Sequence, residues 1–151
     1  MSDSTVTLRL YVPEDDAAAI ELWQHTWQTA YPALDFSARV EWWRGRWRSE
    51  LTPHAIITIA EANGEMVGFV TVDPRNGYLD QIVVAPRSWG SGIAPALVAE
   101  AKRVSPQGLD LLVNSDNARA IRFYLKHGFA ITGDDVNPRS GARVHKMSWR
   151  P

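Results

Sequence analysis

The chain has 151 residues, of which 45% are hydrophobic and 22% are charged, and its formal net charge is −1. This length suits one domain with a substantial core, so we predict a single domain over residues 1–151. The near-neutral charge argues against nucleic-acid and anionic-membrane binding, and the absence of cysteine excludes disulfides, thiolate metal ligands and a cysteine nucleophile. No metal is expected. The first residues lack the basic and apolar regions of a signal peptide, which favours a cytoplasmic protein.

A short strand and two amphipathic helices are predicted first. Apolar and polar residues alternate over residues 5–10, the period of a half-buried strand. A stripe at helical spacing then runs up to Pro32, and a second begins near Asp35 and is closed by Pro53. The first stripe consists of Ile20, Trp23, Trp27 and Tyr31, and the second of Phe36, Val40, Trp43, Trp47 and Leu51.

From residue 55 the period changes to that of strands. Residues 55–61 and 66–72 flank Asn63 and Gly64, a pair that readily adopts the positive φ angles of a tight hairpin. A third strand ends at residues 82–84, and a helical pattern follows it over residues 93–101. A short buried strand comes next, then a helix opened by Asn117 and ended by Gly128, and then two final strands.

The predicted order is therefore β-α-α-β-β-β-α-β-α-β-β. This is an α/β (α+β) fold with a mixed sheet, because only the strand-helix-strand unit around residues 82–113 must be a parallel crossover.

The loop between the strand that ends at residues 82–84 and the helix over residues 93–101 carries Arg87, Gly90 and Gly92. Glycines let backbone N–H groups approach an anion closely, and the positive end of the following helix attracts it, so a phosphate-bearing ligand is indicated. The loop lacks the Gly-Lys-Ser/Thr of an NTPase, and Pro95 stands where a dinucleotide fingerprint needs a third Gly or Ala.

Two segments resemble motifs of the GCN5-related N-acetyltransferases, which bind acetyl-coenzyme A. The run from Arg87 to Gly92 resembles their Arg-x-x-Gly-x-Gly pyrophosphate motif, and residues 117–129 resemble their Asn-x-x-Ala-x-x-x-Tyr-x-x-x-Gly-Phe segment. The predicted order of elements is also that of the family fold. The resemblance implies direct transfer of an acetyl group from acetyl-coenzyme A to a primary amine of a small molecule.

The resemblance also implies two sets of cofactor contacts along the chain. The pantetheine arm is expected to pair with the backbone of Ile82, Val83 and Val84. The pyrophosphate is expected over the backbone amides of Arg87, Ser88, Trp89, Gly90, Ser91, Gly92 and Ile93. The arginine of this set would add positive charge, although it could equally be a solvated surface residue.

Two residues of the second motif receive roles from the resemblance. Asn117 is expected to contact the cofactor arm, and Tyr124 is expected to be the general acid that protonates the departing thiolate. Their spacing of seven residues places both on one helix face. Arg119, Arg122 and Lys126 fall on another face, which we interpret as a solvated stripe rather than as phosphate ligands.

The acceptor amine needs a base and a pocket. By the same resemblance Asp80 is the candidate base, with an ordinary exposed carboxylate as the alternative. Trp27, Tyr31 and Trp42 are the candidate acceptor contacts, since an aromatic ring can attract a cation. Leu112 stands where enzymes acting on protein N-termini often carry a glutamate, which argues against that substrate.

Three other interpretations stay open at this point. The chain could be a non-catalytic acyl-coenzyme A sensor, or an acetyltransferase acting on a peptide or protein amine. The Trp and Arg residues at 42–48 could instead mark a nucleic-acid-binding protein, which the net charge of −1 disfavours. A homodimer is plausible.

Overall fold

The structure is a computed structural model that describes residues 6–138 and 140–151, so residue 5 of the predicted first strand lies outside it. The described residues form one seven-stranded mixed sheet in the order β1-β2-β3-β4-β5-β7-β6. The strands are β1 (Val6–Leu10), β2 (Ile56–Ala62), β3 (Glu65–Asp73), β4 (Tyr78–Val84), β5 (Leu109–Asn114), β6 (Ala130–Val136) and β7 (Arg143–Trp149). The helices are α1 (Asp16–Ala30), α2 (Val40–Arg46), α3 (Thr52–His54), α4 (Ile93–Val104) and α5 (Ala118–Lys126).

The first face of the sheet is covered by the aromatic stripes of the N-terminal helices. A 3-10 turn, Ser37–Arg39, leads into α2, and a π-helical turn, Trp47–Leu51, joins α2 to α3. The rings of Trp23 and Trp43 stack with centroids 4.5 Å apart, and α1 and α2 are fixed to each other by this contact.

The second face is covered by α4 and α5. Leu97 of α4 is fully buried, and α4 packs on β2, β3 and β4. No helix of the described residues is both long enough and apolar enough to cross a membrane.

Local sequence signals set several boundaries as predicted. Asn63 and Gly64 have φ angles of 55° and 78°, which form the tight turn between β2 and β3. The Asn117 side chain caps α5 by accepting a hydrogen bond of 3.1 Å from the N–H of Ala120. Gly128 follows α5 with a φ of 91°, the left-handed conformation expected of a residue just past a helix.

The first strand differs from its prediction. Val6, Leu8 and Leu10 are 37%, 36% and 64% exposed rather than buried on one face. The reason is topological, because β1 is the edge strand of the sheet, while α4 packs mainly on β2, β3 and β4.

Strands β4 and β5 separate along their length, and this opening positions the functional site. They are parallel neighbours, yet Tyr78 and Asp110 are their one paired position among the described residues. Beyond that pair, the remainder of β4 has no partner in β5. A wedge therefore opens between the carboxyl ends of two adjacent strands, where parallel strands commonly leave a binding crevice.

Candidate active site

A cavity of about 570 Å³ lies beside the end of β4 that has no partner in β5. The end of α1, the end of β4, Trp89 of the glycine loop and the first turns of α5 all contribute to its walls. Its lining residues are Thr26, Trp27, Thr29, Ala30, Tyr31, Ile82, Val83, Val84, Trp89, Ala94, Asp116, Asn117, Ala118, Arg119, Ala120, Phe123 and Tyr124. Many of the predicted cofactor and acceptor residues thus meet in one place.

The glycine loop has the backbone geometry of an anion site. Gly90 and Gly92 have φ angles of 82° and 91°, and Gly92 directly precedes α4. Within the described residues, neither of their N–H groups has a hydrogen-bond partner. Pro95 lies in the first turn of α4, where a helix leaves its N–H groups unbonded in any case, so the missing donor does not weaken the helix.

Replacing Gly92 with alanine tests this geometry. An added Cβ at Gly92 would meet no atom within 4 Å, so the penalty comes from the positive φ and amounts to about 1–2 kcal/mol. We expect a lower thermal midpoint and weaker binding of coenzyme A by calorimetry. Gly45→Ala is the matched control, because Gly45 lies in α2 with equally open space and should gain stability. Equal behaviour of the two variants would contradict a role for the loop conformation.

Three other residues of the loop are placed differently. Arg87 donates to Glu65 over 3.0 Å and does not line the cavity. Ser91 donates its hydroxyl to the Ser88 carbonyl oxygen, which stabilises the turn itself. Trp89 lies at the cavity and donates its indole N–H to the Val84 carbonyl oxygen over 2.8 Å, so it fixes the loop to the end of β4.

The two residues of the second motif face the cavity together from α5. The Oδ1 of Asn117 is used by the helix cap, while its Nδ2 group makes no hydrogen bond to a described residue. Tyr124 is 7% exposed, and its ring packs against Phe123 and Phe129 with both centroids 5.4 Å away. Burial raises the pKa of the Tyr124 phenol above its ordinary value, so the side chain carries its proton at neutral pH.

An aromatic pair at the end of α1, formed by Trp27 and by Tyr31 just after the helix, makes the opposite wall. The rings of Trp27 and Tyr31 stack with centroids 5.7 Å apart and planes 13° from parallel. The Tyr31 hydroxyl accepts a hydrogen bond of 3.4 Å from Asn114, which ties the end of α1 to the end of β5. Both rings were predicted to contact the acceptor, and both line the cavity.

Besides Arg87, the predicted site residues that do not line the cavity are Ser88, Gly90, Ser91, Gly92 and Ile93 on the cofactor side and Trp42 and Asp80 on the acceptor side. Trp42 of α2 is 37% exposed and lies beside Trp43, outside the lining set. Asp80 occupies a β-bulge, and Arg46 donates to both of its carboxylate oxygens, one of them at 2.8 Å. The Asp80 carboxylate is therefore engaged by α2 and does not line the cavity.

Sequence reasoning missed several lining residues in the first turn of α5 and the last turns of α1. Thr26 and Thr29 flank Trp27 and Tyr31 on α1, and Asp116 and Arg119 flank the helix cap at Asn117. Asp116 and Arg119 could have been predicted from the sequence, because a helix that opens with a ligand-binding residue presents its first turn to the same ligand. Arg119, which we interpreted as solvated, is exposed and also lies over the Trp89 ring.

Within residues 6–138 and 140–151, no group of three His, Cys, Asp or Glu side chains is arranged to hold a metal ion.

The unpaired end of β4, Trp89 of the glycine loop and the buried phenol of Tyr124 thus lie around one cavity. The sequence model of the Acetyltransferase (GNAT) family matches residues 14–129. The chain belongs to this family. The predicted family, fold and class of enzyme are confirmed.

Individual relatives agree with this assignment. The peptidyl-lysine N-acetyltransferase YjaB of Salmonella typhimurium is 29% identical over 85% of this chain and 86% of its own length. A mycothiol acetyltransferase of Paenarthrobacter aurescens is 31% identical over 87% of this chain, but the match spans 44% of that relative. The PaiA N-acetyltransferase of Thermoplasma acidophilum, solved in complex with coenzyme A, has the same fold, with a TM-score of 0.77, 19% identity and coverage of 97% and 99% of the two chains.

Proposed function

We propose that this chain transfers the acetyl group of acetyl-coenzyme A to a primary amine of a small molecule by direct attack on the thioester. The observation that carries the proposal is the cavity in which the unpaired end of β4, Trp89 of the glycine loop and Tyr124 meet. Family membership and the coenzyme A complex of a relative support acetyl-coenzyme A as the donor.

In this proposal the donor lies along β4. The free N–H groups of Gly90 and Gly92, with the N-terminus of α4, bind the diphosphate. The pantetheine arm takes the place of a neighbouring strand beside Ile82 and Val83, whose backbone has no partner in β5. Asn117 donates its free amide N–H to the same arm. The thioester then reaches the level of Tyr124.

The chemical step moves one acetyl group and one net proton. The amine nitrogen attacks the thioester carbonyl carbon, and the C–S bond breaks as the tetrahedral intermediate collapses. The sulfur takes the phenolic proton of Tyr124, which regains a proton as the new amide nitrogen loses one. A buried phenol suits this step because the dry surroundings that keep it neutral also disfavour a thiolate.

The acceptor approaches from α1 in this proposal. Trp27 and Tyr31 form an aromatic wall, and a ring beside an alkylammonium contributes about 0.5–2 kcal/mol. Within the described residues, Thr26 Oγ1 and Trp27 Nε1 are buried without a hydrogen-bond partner, so this wall has polar groups left to satisfy.

A lysine side chain of a protein is the second candidate acceptor. It is favoured by the YjaB relative, whose name specifies peptidyl-lysine and whose length the match nearly spans. A competition assay separates the two candidates by comparing kcat/KM for small primary amines with that for lysine-containing peptides. The small-molecule proposal requires at least one free amine to exceed the peptides, and the reverse order would replace it with the lysine proposal.

Asp80→Asn tests the predicted base. We expect Asp80→Asn to lower kcat/KM by about 10²-fold, because Asp80 is the predicted acceptor of the ammonium proton, through a water molecule. The measurement is the pH profile of kcat/KM together with the thermal midpoint. A lower midpoint with kcat unchanged would contradict the base and leave Asp80 as the anchor for Arg46 and α2.

A further inference from the structure

Arg119 is an unpaired cation at the cofactor end of the cavity. Among the lining residues that the structure describes, it is the one with a positive charge. Its guanidinium carbon lies 4.3 Å from the centroid of the Trp89 ring, and no carboxylate of the described residues forms an ion pair with it. The guanidinium is therefore held at the glycine loop by a ring face alone.

The position of this charge is unfavourable for the free protein. Arg119 is the second residue of α5, and a cation there faces the positive end of the helix dipole. A contact with a ring face at an exposed site is weaker than a charge-assisted hydrogen bond. Residues that disfavour their local structure are expected where function requires them. An anion bound beside α5 would offset the unfavourable interaction between the Arg119 charge and the helix dipole.

The arginine of the loop motif does not supply this charge in the structure. Arg87 is 3.0 Å from Glu65 and outside the cavity lining, whereas Arg119 lines it. Trp89 connects the glycine loop to α5, because it belongs to the loop and its ring contacts the guanidinium of Arg119. The positive charge that faces the cavity thus comes from α5 rather than from the loop.

We propose that Arg119 binds a phosphate group of coenzyme A and that Trp89 holds its guanidinium in place for that contact. The planar guanidinium suits this role because it can donate two parallel hydrogen bonds to phosphate oxygens. The inference rests on the proposed function, since it takes coenzyme A as the ligand of the cavity. Coenzyme A offers two phosphate sources, the diphosphate and the 3′-phosphate.

The test measures the affinity of wild type and Arg119→Gln for three ligands by calorimetry. Coenzyme A carries both phosphate sources, dephospho-coenzyme A lacks the 3′-phosphate, and S-acetylpantetheine lacks every phosphate. We expect Arg119→Gln to weaken coenzyme A binding by about tenfold and to leave S-acetylpantetheine binding unchanged. A loss retained with dephospho-coenzyme A identifies the diphosphate as the partner, and a loss that disappears identifies the 3′-phosphate.

Arg122→Gln is the matched control. Arg122 is exposed on the same helix, one turn further on, and does not line the cavity, so the same change of charge there should leave all three affinities unaltered. The proposal is overturned if Arg119→Gln binds coenzyme A as wild type does, if it loses S-acetylpantetheine equally, or if Arg122→Gln shows the same loss. Failure of the wild type itself to bind coenzyme A would instead overturn the proposed function.

Discussion

Tyr124→Phe is expected to lower kcat by about 10²-fold or more while leaving the affinity for acetyl-coenzyme A nearly unchanged. The substitution removes one hydroxyl from a ring that is held by Phe123 and Phe129, so the packing of α5 is retained. Loss of the proton donor then acts on departure of the thiolate alone. The measurement is steady-state release of coenzyme A thiol, with thermal unfolding as the check on folding.

Tyr78→Phe provides the matched control for Tyr124→Phe. Desolvation raises the pKa of the half-buried Tyr78 to about 12, so both phenols are protonated at neutral pH, but Tyr78 does not line the cavity. Because the pKa of Tyr124 is raised, the wild-type rate should not lose its acid below about pH 10. A kcat for Tyr124→Phe within threefold of wild type, or an equal loss in Tyr78→Phe, would contradict the assigned acid.

Trp47→Ala is expected to destabilise the protein by about 3–5 kcal/mol, the largest loss of stability that we predict. Trp47 is fully buried and packs against Trp43 and Phe69, with centroid distances of 5.9 and 5.3 Å. Removing its ring leaves a cavity between the helical segment 40–54 and the sheet. Chemical denaturation measures the difference in free energy of unfolding.

Trp42→Ala makes the same chemical change on the same helical segment, where the ring is 37% exposed. We expect a loss well below that of Trp47→Ala, because less apolar surface is returned to water. Equal losses for the two variants would contradict the assignment of the core stripe. An increased KM for the amine in Trp42→Ala would support the predicted acceptor contact that the cavity lining does not include.

Much of the fold could be predicted because its signals are local. Asn63 and Gly64 determine a turn through their own φ angles, and Asn117 and Gly128 bound α5 through a cap and a left-handed residue. The spacing of Trp43 and Trp47 alone identified a buried helix face. Such features depend on residues a few positions apart, so one sequence suffices to find them.

The features that sequence reasoning missed depend on distant parts of the chain. The exposure of Leu8 follows from the position of β1 at the sheet edge, which its own alternation does not reveal. The pairing of Asp80 with Arg46 joins residues 34 positions apart. The placement of Arg119 on Trp89 likewise requires the three-dimensional meeting of a loop and a helix. The sequence therefore indicated several segments that line the cavity, among them Trp27, Tyr31 and the first turn of α5, while the placement of the charged side chains around it required the structure.

The most direct test of the proposed activity is incubation of the protein with acetyl-coenzyme A labelled in the acetyl group and a mixture of small primary amines, followed by mass spectrometry. The account predicts that the label appears on an amine nitrogen in amounts equal to the free thiol released, and that Tyr124→Phe slows both equally. Unlabelled amines, with acetyl-coenzyme A still raising the thermal midpoint, would contradict catalysis and identify the chain as a binding module.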